Sequence, residues 1–325
     1  MLSKSAGLLY GPLEHHLDHI APFCSLARIP LVITDEEIAE QARLYYPNLN
    51  ILEWNCLEAP FKIVERFESL YCTIARPFYD ELFFIAEKTL NKKLQTFWLP
   101  HGNSDKGHHV PLLEALKDEN TLLVYGPKMI DFLKLKGISK PYIETGNFRL
   151  EYYRRHRSFY QKMIDPWCPP GAKIILYAPS WEDGETSTSF FKETKLLISH
   201  IPSGFCLWIK PHPNLEKDIR TEQLALQYSQ HPQVKFLRHF APIYPILEKT
   251  DIYLGDMSSI GYDFLAFNRP MFFFNPNKRP LNDPGLFLHR CGHTLESSSQ
   301  FFKTLDQDQS HLTEIRQETY TYVFG

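Results

Sequence analysis

Short apolar runs bounded by glycine, proline or aspartate recur along the chain, and longer amphipathic stretches separate them. The pattern predicts strands at 7–11, 29–34, 49–54, 70–75, 96–100, 122–126 and 141–146. It resumes with strands at 172–179, 205–211, 234–237, 251–256 and 270–275. The runs IPLVIT, KIILYAP and PMFFFNP are continuously apolar, as strands covered on both faces are. Helical patterns lie between the strands, at 35–46, 76–90, 127–136, 188–200, 216–230, 243–249 and 258–267. Alternation of this kind predicts an α/β protein with parallel sheets.

Residues 164–171 read IDPWCPPG, with three prolines and a glycine where neither a helix nor a central strand continues. The break predicts two Rossmann-like domains, over 1–165 and 166–325, facing each other across a cleft. The polar, helix-compatible tail from Leu295 is expected to pack back on the first domain. Open α/β sheets bind ligands at the carboxyl ends of their strands, so polar residues just past each strand are the candidates for chemistry.

Composition removes several function classes. Of 325 residues, 43% are hydrophobic and 22% charged, which excludes a disordered or fibrous chain. Lys+Arg number 35 against 38 Asp+Glu, so the basic excess of a protein that grips nucleic acid by its phosphates is missing, and no nucleic-acid partner is expected. No run of about 18 apolar residues is present, so no transmembrane segment is expected. The opening MLSKSAGLLYGPLEHH is too short and polar for a signal peptide. Cys24, Cys56, Cys72, Cys168, Cys206 and Cys291 form no CxxC pair, which reads as a reduced, cytoplasmic chain without disulfides or structural zinc. The absence of GxGxxG, Walker A and GxSxG motifs argues against dinucleotide, P-loop and serine-hydrolase chemistry.

The densest cluster is DIYLGDMSSIGYDF at 251–264. A strand ends at Asp256 and a helix begins near Ile260, with Ser258 or Ser259 as its N-cap. Such an entry exposes backbone N–H groups and the positive end of a helix dipole, an anion site to which two hydroxyls add donors. The plainer reading is a helix cap followed by a surface acid, Asp263. In IKPHP, Lys210 and His212 flank a proline at the end of the strand FCLWI, a cation and an imidazole suited to a diphosphate or simply solvated. YAPSWED puts Ser180, Trp181 and Asp183 beyond another buried strand, where an anchored loop is the plainer reading.

In the N-terminal half, LPHGNSDKG places His101 just past a strand, with Gly102 and Gly107 to turn the backbone. A neutral imidazole there serves as a general base near pH 7, or is a bystander. TGNFRLE ends a strand at Gly146 and opens a helix at Arg149. His15, His16 and His19 cluster after the first strand, and His15 and His19 have the i,i+4 spacing of a helical metal pair. Without HExxH or an evident third ligand, a structural or acceptor-side role outweighs a metal. The pairs His108/His109 and His289/His293 carry less signal still.

Taken in order, from about residue 97 to 276, these segments resemble the CDP-glycerol glycerophosphotransferase family, the polymerases and primases of teichoic-acid-type polymers. The family's W-H-G-x-P-x-K is similar to residues 98–106, where Leu99 and Pro100 are inserted before His101 and Lys106 keeps its distance from it. Its G-x-P-R-x-D resembles 146–151, its Y-A-P-T-W-R resembles 177–182, and its [RK]-x-H-P resembles 210–213. Its T-D-Y-S-S-x-x-F-D-F is similar to 255–264, with Met257 in place of tyrosine.

The resemblance implies a GT-B-like fold with an acceptor-side N-terminal domain and a nucleotide-donor C-terminal domain. It implies a transferase that moves glycerol phosphate, or a similar alditol phosphate, from a CDP-linked donor to an acceptor hydroxyl with release of CMP. His101 and His212 are then the catalytic histidines, with His101 as general base. Lys106, Arg149, Ser180, Lys210, Asp256, Ser258, Ser259 and Asp263 fall on the donor side, and His16 and His19 on the acceptor side. No DxD-type metal site is evident, so no metal and no cofactor besides the donor are expected. The expected partners are a nucleotide-linked small molecule and a hydroxyl acceptor, lipid-linked ones included, met in the cytoplasm by peripheral contact with the inner face of the membrane. Rival readings are a UDP-sugar glycosyltransferase or 2-epimerase of the same fold, and a nucleotide-binding protein without turnover.

Overall fold

The computed structural model describes residues 4–106, 113–182 and 188–325, so Gly107, His108, His109 and Asp183 lie outside the described residues. The chain divides into two compact units. Among the described residues, the first comprises 4–103, 113–157 and 322–325, and the second 104–106, 158–182 and 188–321. The division falls between Arg157 and Ser158, ahead of the proline-rich segment, whose residues all belong to the second unit.

The first unit is built on seven strands: β1 (Ser5–Leu9), β2 (Leu31–Ile33), β3 (Ile51–Glu53), β4 (Ser69–Cys72), β5 (Gln95–Trp98), β6 (Thr121–Val124) and β7 (Tyr142–Glu144). They pair in parallel in the order β3-β2-β1-β4-β5-β6-β7. After β3 the chain crosses to the other side of β1, so the order reverses between β1 and β4, where a crevice opens at the strand ends. Ala6, Leu8, Val32, Leu70 and Cys72 form the core of one face with Ile63, Val64 and Phe83. Gly7 lies under the helix Leu17–Ala27, where a Cβ would stand 2.2 Å from Cys24 Sγ, so only glycine admits the helix this close.

That helix contains Pro22, which has no N–H to give the Asp18 carbonyl four residues back. Arg149 supplies the missing donor: its Nε bonds the Asp18 carbonyl at 2.9 Å, and its Nη2 pairs with the Asp18 carboxylate. Tyr46 also donates to that carboxylate, at 2.8 Å. Arg149, expected among the donor-side residues, therefore fastens the helix Phe148–Arg155 to Leu17–Ala27 as a buried group of the first unit. The first unit is completed by residues 322–325. The Phe324 ring packs edge-on to Tyr125 at 5.7 Å, and Tyr322 donates to Asp131 at 2.8 Å. At Gly126 a Cβ would lie 2.8 Å from the Val323 carbonyl oxygen.

The second unit carries β8 (Lys173–Ala178), β9 (Phe205–Ile209), β10 (Val234–Phe236), β11 (Ile252–Gly255), β12 (Met271–Phe274) and β13 (His293–Leu295). These are also all parallel, in the order β10-β9-β8-β11-β12-β13, with the reversal between β8 and β11. Ile175, Tyr177, Leu207, Ile209, Leu254 and Phe272 centre its core.

Every predicted strand is present, most of them trimmed by a residue or two, and two sheets with flanking helices give the expected α/β class. β13 was not anticipated, because three half-polar residues at a sheet edge carry no apolar run. Nor were the helices Leu17–Ala27 and Ala59–Arg66, which contain or begin at proline. All six cysteines are free. Among the described residues no helix is long and apolar enough to cross a membrane.

Candidate functional site

In the second unit, the reversal point is organised by Asp256, the first residue after β11. It is fully buried and reaches the turn beyond β8: Oδ1 accepts from the Ser180 N–H at 2.7 Å, and Oδ2 from the Ser189 N–H at 2.9 Å and Ser189 Oγ at 2.8 Å. Burial raises its pKa from 3.8 to about 6, opposed by those bonds and by the nearby Lys106 cation. Asp256 is thus spent on shaping the turn. Ser180 Oγ accepts in turn from the Lys106 ammonium. Residues 104–106 are fastened to this unit by Asp105, whose carboxylate accepts from the Tyr262 hydroxyl and, at 3.0 Å, from the Leu288 N–H.

Ser258 and Ser259 follow along the chain. Ser259 stands at the N-cap of the helix Ile260–Phe264 but makes no side-chain capping bond, contrary to the expectation that a serine caps here. Its φ of −62° and ψ of −24° are already helical, whereas a capping side chain normally reaches back from extended backbone. Asp263, a surface acid in the plainer reading, is buried and accepts from the Tyr244 hydroxyl at 2.8 Å.

Past β9, Lys210 is buried and its ammonium meets Glu216 Oε1 at 2.9 Å, so it belongs to a neutral pair. Glu216 Oε2 accepts from the His239 N–H at 2.8 Å. His212 caps the short helix Pro213–Glu216, its Nδ1 accepting from the Asn214 N–H at 3.1 Å. The neutral ring then carries its proton on Nε2, a donor suited to a phosphate oxygen. It stacks on Trp181 with centroids 6.0 Å apart.

In the first unit, three neighbouring strands end at a group of imidazoles. His16 closes a turn that follows β1, Thr73 follows β4, and His101 follows β5. His16 Nδ1 is hydrogen-bonded to Thr73 Oγ1 at 2.7 Å, and its ring stacks on that of His101 with centroids 4.3 Å apart and planes 14° off parallel. The inserted residues continue the strand: Leu99 donates to the Cys72 carbonyl at 2.8 Å, and the Pro100 carbonyl accepts from Tyr125 at 3.1 Å. The neighbouring Thr73 backbone favours the charged form of His101, a smaller effect than burial. Part of its side chain reaches solvent, yet the protein crowded around the ring lowers its pKa below 6.5. A neutral imidazole carries one N–H and presents its other nitrogen as an acceptor.

His19 does not share this position. It is buried with Nδ1 on the Tyr125 hydroxyl at 2.9 Å, and burial, then the Arg149 charge, push its pKa well below 6.5. His15 lies in the 3-10 turn ahead of the helix that holds His19, so the two do not form the helical pair their spacing suggests. His289 is buried against the Phe273 ring, with its pKa lowered to about 4 by burial. Sequence reasoning missed Thr73, Asp105, Glu216 and Tyr262. The strand predicted at 70–75 hid Thr73, which the structure places just past β4.

A family model described as CDP-glycerol:poly(glycerophosphate) glycerophosphotransferase matches residues 137–319, more than half of the chain. The chain is 28% identical over 124 residues to the teichoic acid glycerol-phosphate primase of Bacillus subtilis (strain 168), a stretch spanning 38% of this chain and 30% of that protein. A solved wall teichoic acid polymerase TagF superposes with a TM-score of 0.70 at 12% identity, covering 99% of this chain and 84% of that one. The same polymerase soaked with CDPG gives 0.65 at 13% identity, covering 98% and 82%. UDP-GlcNAc 2-epimerase from Neisseria meningitidis bound to UDP-GlcNAc gives 0.61 at 12% identity, covering 100% and 96%. At these identities the structural likenesses establish the fold, which is of the GT-B-like α/β class.

Proposed function

The chain belongs to the CDP-glycerol:poly(glycerophosphate) glycerophosphotransferase family, and from that premise we propose that it transfers glycerol phosphate, or a similar alditol phosphate, from a CDP-linked donor to an acceptor hydroxyl. The acceptor oxygen forms a bond to the phosphorus that carries the glycerol, the bond from that phosphorus to the CMP oxygen breaks, and CMP departs with the electron pair. The acceptor proton goes to His101.

In phosphoryl transfer the protein mainly positions groups and neutralises charge. The second unit has the means. Lys106 is a cation held on Ser180, His212 offers an N–H, and Ser258 and Ser259 offer hydroxyls. Lys210 contributes less charge than its place suggests, because Glu216 already balances it. The lowered pKa of His101, which keeps its imidazole neutral and able to accept a proton, supports the base assignment.

The observation that carries the reading is the family match over 137–319, which takes in the Asp256-centred turn, Lys210, His212 and both serines. The test incubates the protein with CDP- and UDP-linked donors and a panel of hydroxyl acceptors, and identifies the nucleotide released. Release of CMP with transfer of the alditol phosphate is expected. Release of UMP or UDP, epimerisation of a UDP-sugar, or binding without turnover would each overturn the proposal.

A further inference from the structure

The reversal point of the first sheet carries a second layer behind His101. β1, β4 and β5 are consecutive in that sheet, and Thr73 and His101 come from just beyond β4 and β5, while His16 ends the turn Glu14–His16 that follows β1. Thr73 sits at the centre, 2% exposed: its hydroxyl holds His16 Nδ1 at 2.7 Å, and its backbone neighbours His101. His16, 3% exposed, covers one face of the His101 ring at stacking distance. His15 touches the edges of both rings, at 4.2 Å and 6.0 Å. The Thr73 hydroxyl thus fixes His16, and the stacked His16 ring fixes the plane of His101.

We propose that Thr73 and His16 are positioning residues for His101: the Thr73 hydroxyl holds His16, and the stacked His16 ring holds that of His101 with one nitrogen turned to the acceptor hydroxyl. The proposal rests on the reading of His101 as the general base. His16 Nδ1 is committed to Thr73 and one ring face to His101. The titratable and charged groups near this pair are His15 from the same turn, and His19 and Arg149 from the helices behind it.

Orientation of a reacting group is worth much: a misplacement of about 1 Å can cost about 10²-fold in rate. His16→Ala is therefore expected to lower kcat by about 10- to 100-fold with little change in donor KM. By letting water onto the exposed ring face it should also move the acid limb of the pH–rate profile upward. His16→Phe restores an aromatic face without a titrating group, and should recover most of the rate and the original limb. Thr73→Val, which deletes the hydroxyl but keeps the carbonyl, should fall between, and Thr73→Ser should resemble the parent.

Imidazole ¹⁵N NMR of the full-length protein without substrate decides the positioning. The His101 tautomer and pKa should shift in His16→Ala and return in His16→Phe. A His101 signal unchanged in His16→Ala, or shifted alike in His16→Phe, would overturn the proposal, even if stability fell. The base assignment is decided separately, by CMP release from CDP-glycerol in His101→Ala: undiminished kcat there sinks that reading whatever the NMR shows.

Discussion

Pro22 and Arg149 make a coupled device whose energetics can be measured. Arg149→Met removes the cation from the Asp18 carboxylate, whose side chain is only 13% exposed, and also the donor from the Asp18 carbonyl. Breaking one side of a buried pair costs about 3–5 kcal/mol, chiefly because the remaining charge is left uncompensated. The orphaned carbonyl accounts for about 1–3 kcal/mol of such a loss. That share exists only because residue 22 has no N–H. In a Pro22→Ala background the helix can supply its own i→i−4 bond, so Arg149→Met should cost less there, by about 1–2 kcal/mol. Urea unfolding of the four proteins of this cycle, with hydrogen exchange in residues 23–27 as a local readout, measures the coupling. If Arg149→Met cost the same in both backgrounds, to within about 0.5 kcal/mol, Arg149 would not be replacing the bond that proline removes.

Three further outcomes are expected. Asp256 takes up its proton near 6 in the folded chain and near 3.8 when unfolded, so between those values the native state binds more protons and stability falls as pH rises, by about 3 kcal/mol; Asp256→Asn should abolish that slope, and a parent-minus-variant difference that stays flat from pH 4 to 7 would count against it. Ser258→Ala/Ser259→Ala should weaken CDP-donor binding by about 2–4 kcal/mol, roughly 1–2 for each hydrogen bond to a charged phosphate, while urea stability changes little because Ser259 makes no cap bond; unaltered affinity in calorimetry would remove the serines from the donor site. His101→Ala should lower kcat by about 10²- to 10⁴-fold and leave donor affinity intact, whereas His212→Ala should weaken the donor as well, and identical kinetic profiles for the two would argue against separate roles.

The strands were legible because β8 and β12 are apolar at nearly every position, a pattern that only a strand covered on both faces explains. The helix Leu17–Ala27 was hidden by its proline, and the residue that makes the proline tolerable, Arg149, is distant in sequence. The strand-end logic located His101, Lys210, Asp256 and Ser180. It did not reveal what each was already bonded to, since partners such as Glu216 for Lys210 and Lys106 for Ser180 come from turns whose path no periodicity encodes. Arg149 shows this most clearly: nothing in its motif announces the Asp18 carboxylate it meets from a distant part of the chain.

The closing of the first unit by residues 322–325 also sets a timetable. Its seven strands are all synthesised by Glu144, but the groove at Gly126 and the face of Tyr125 wait for Val323 and Phe324. At about 5–20 residues per second, the chain between them takes roughly 10–35 s to emerge. Throughout that interval the first unit stands with its last seam open while the whole second unit is being made, and a ribosome that stalls late releases a chain whose earliest half is the part left unsealed.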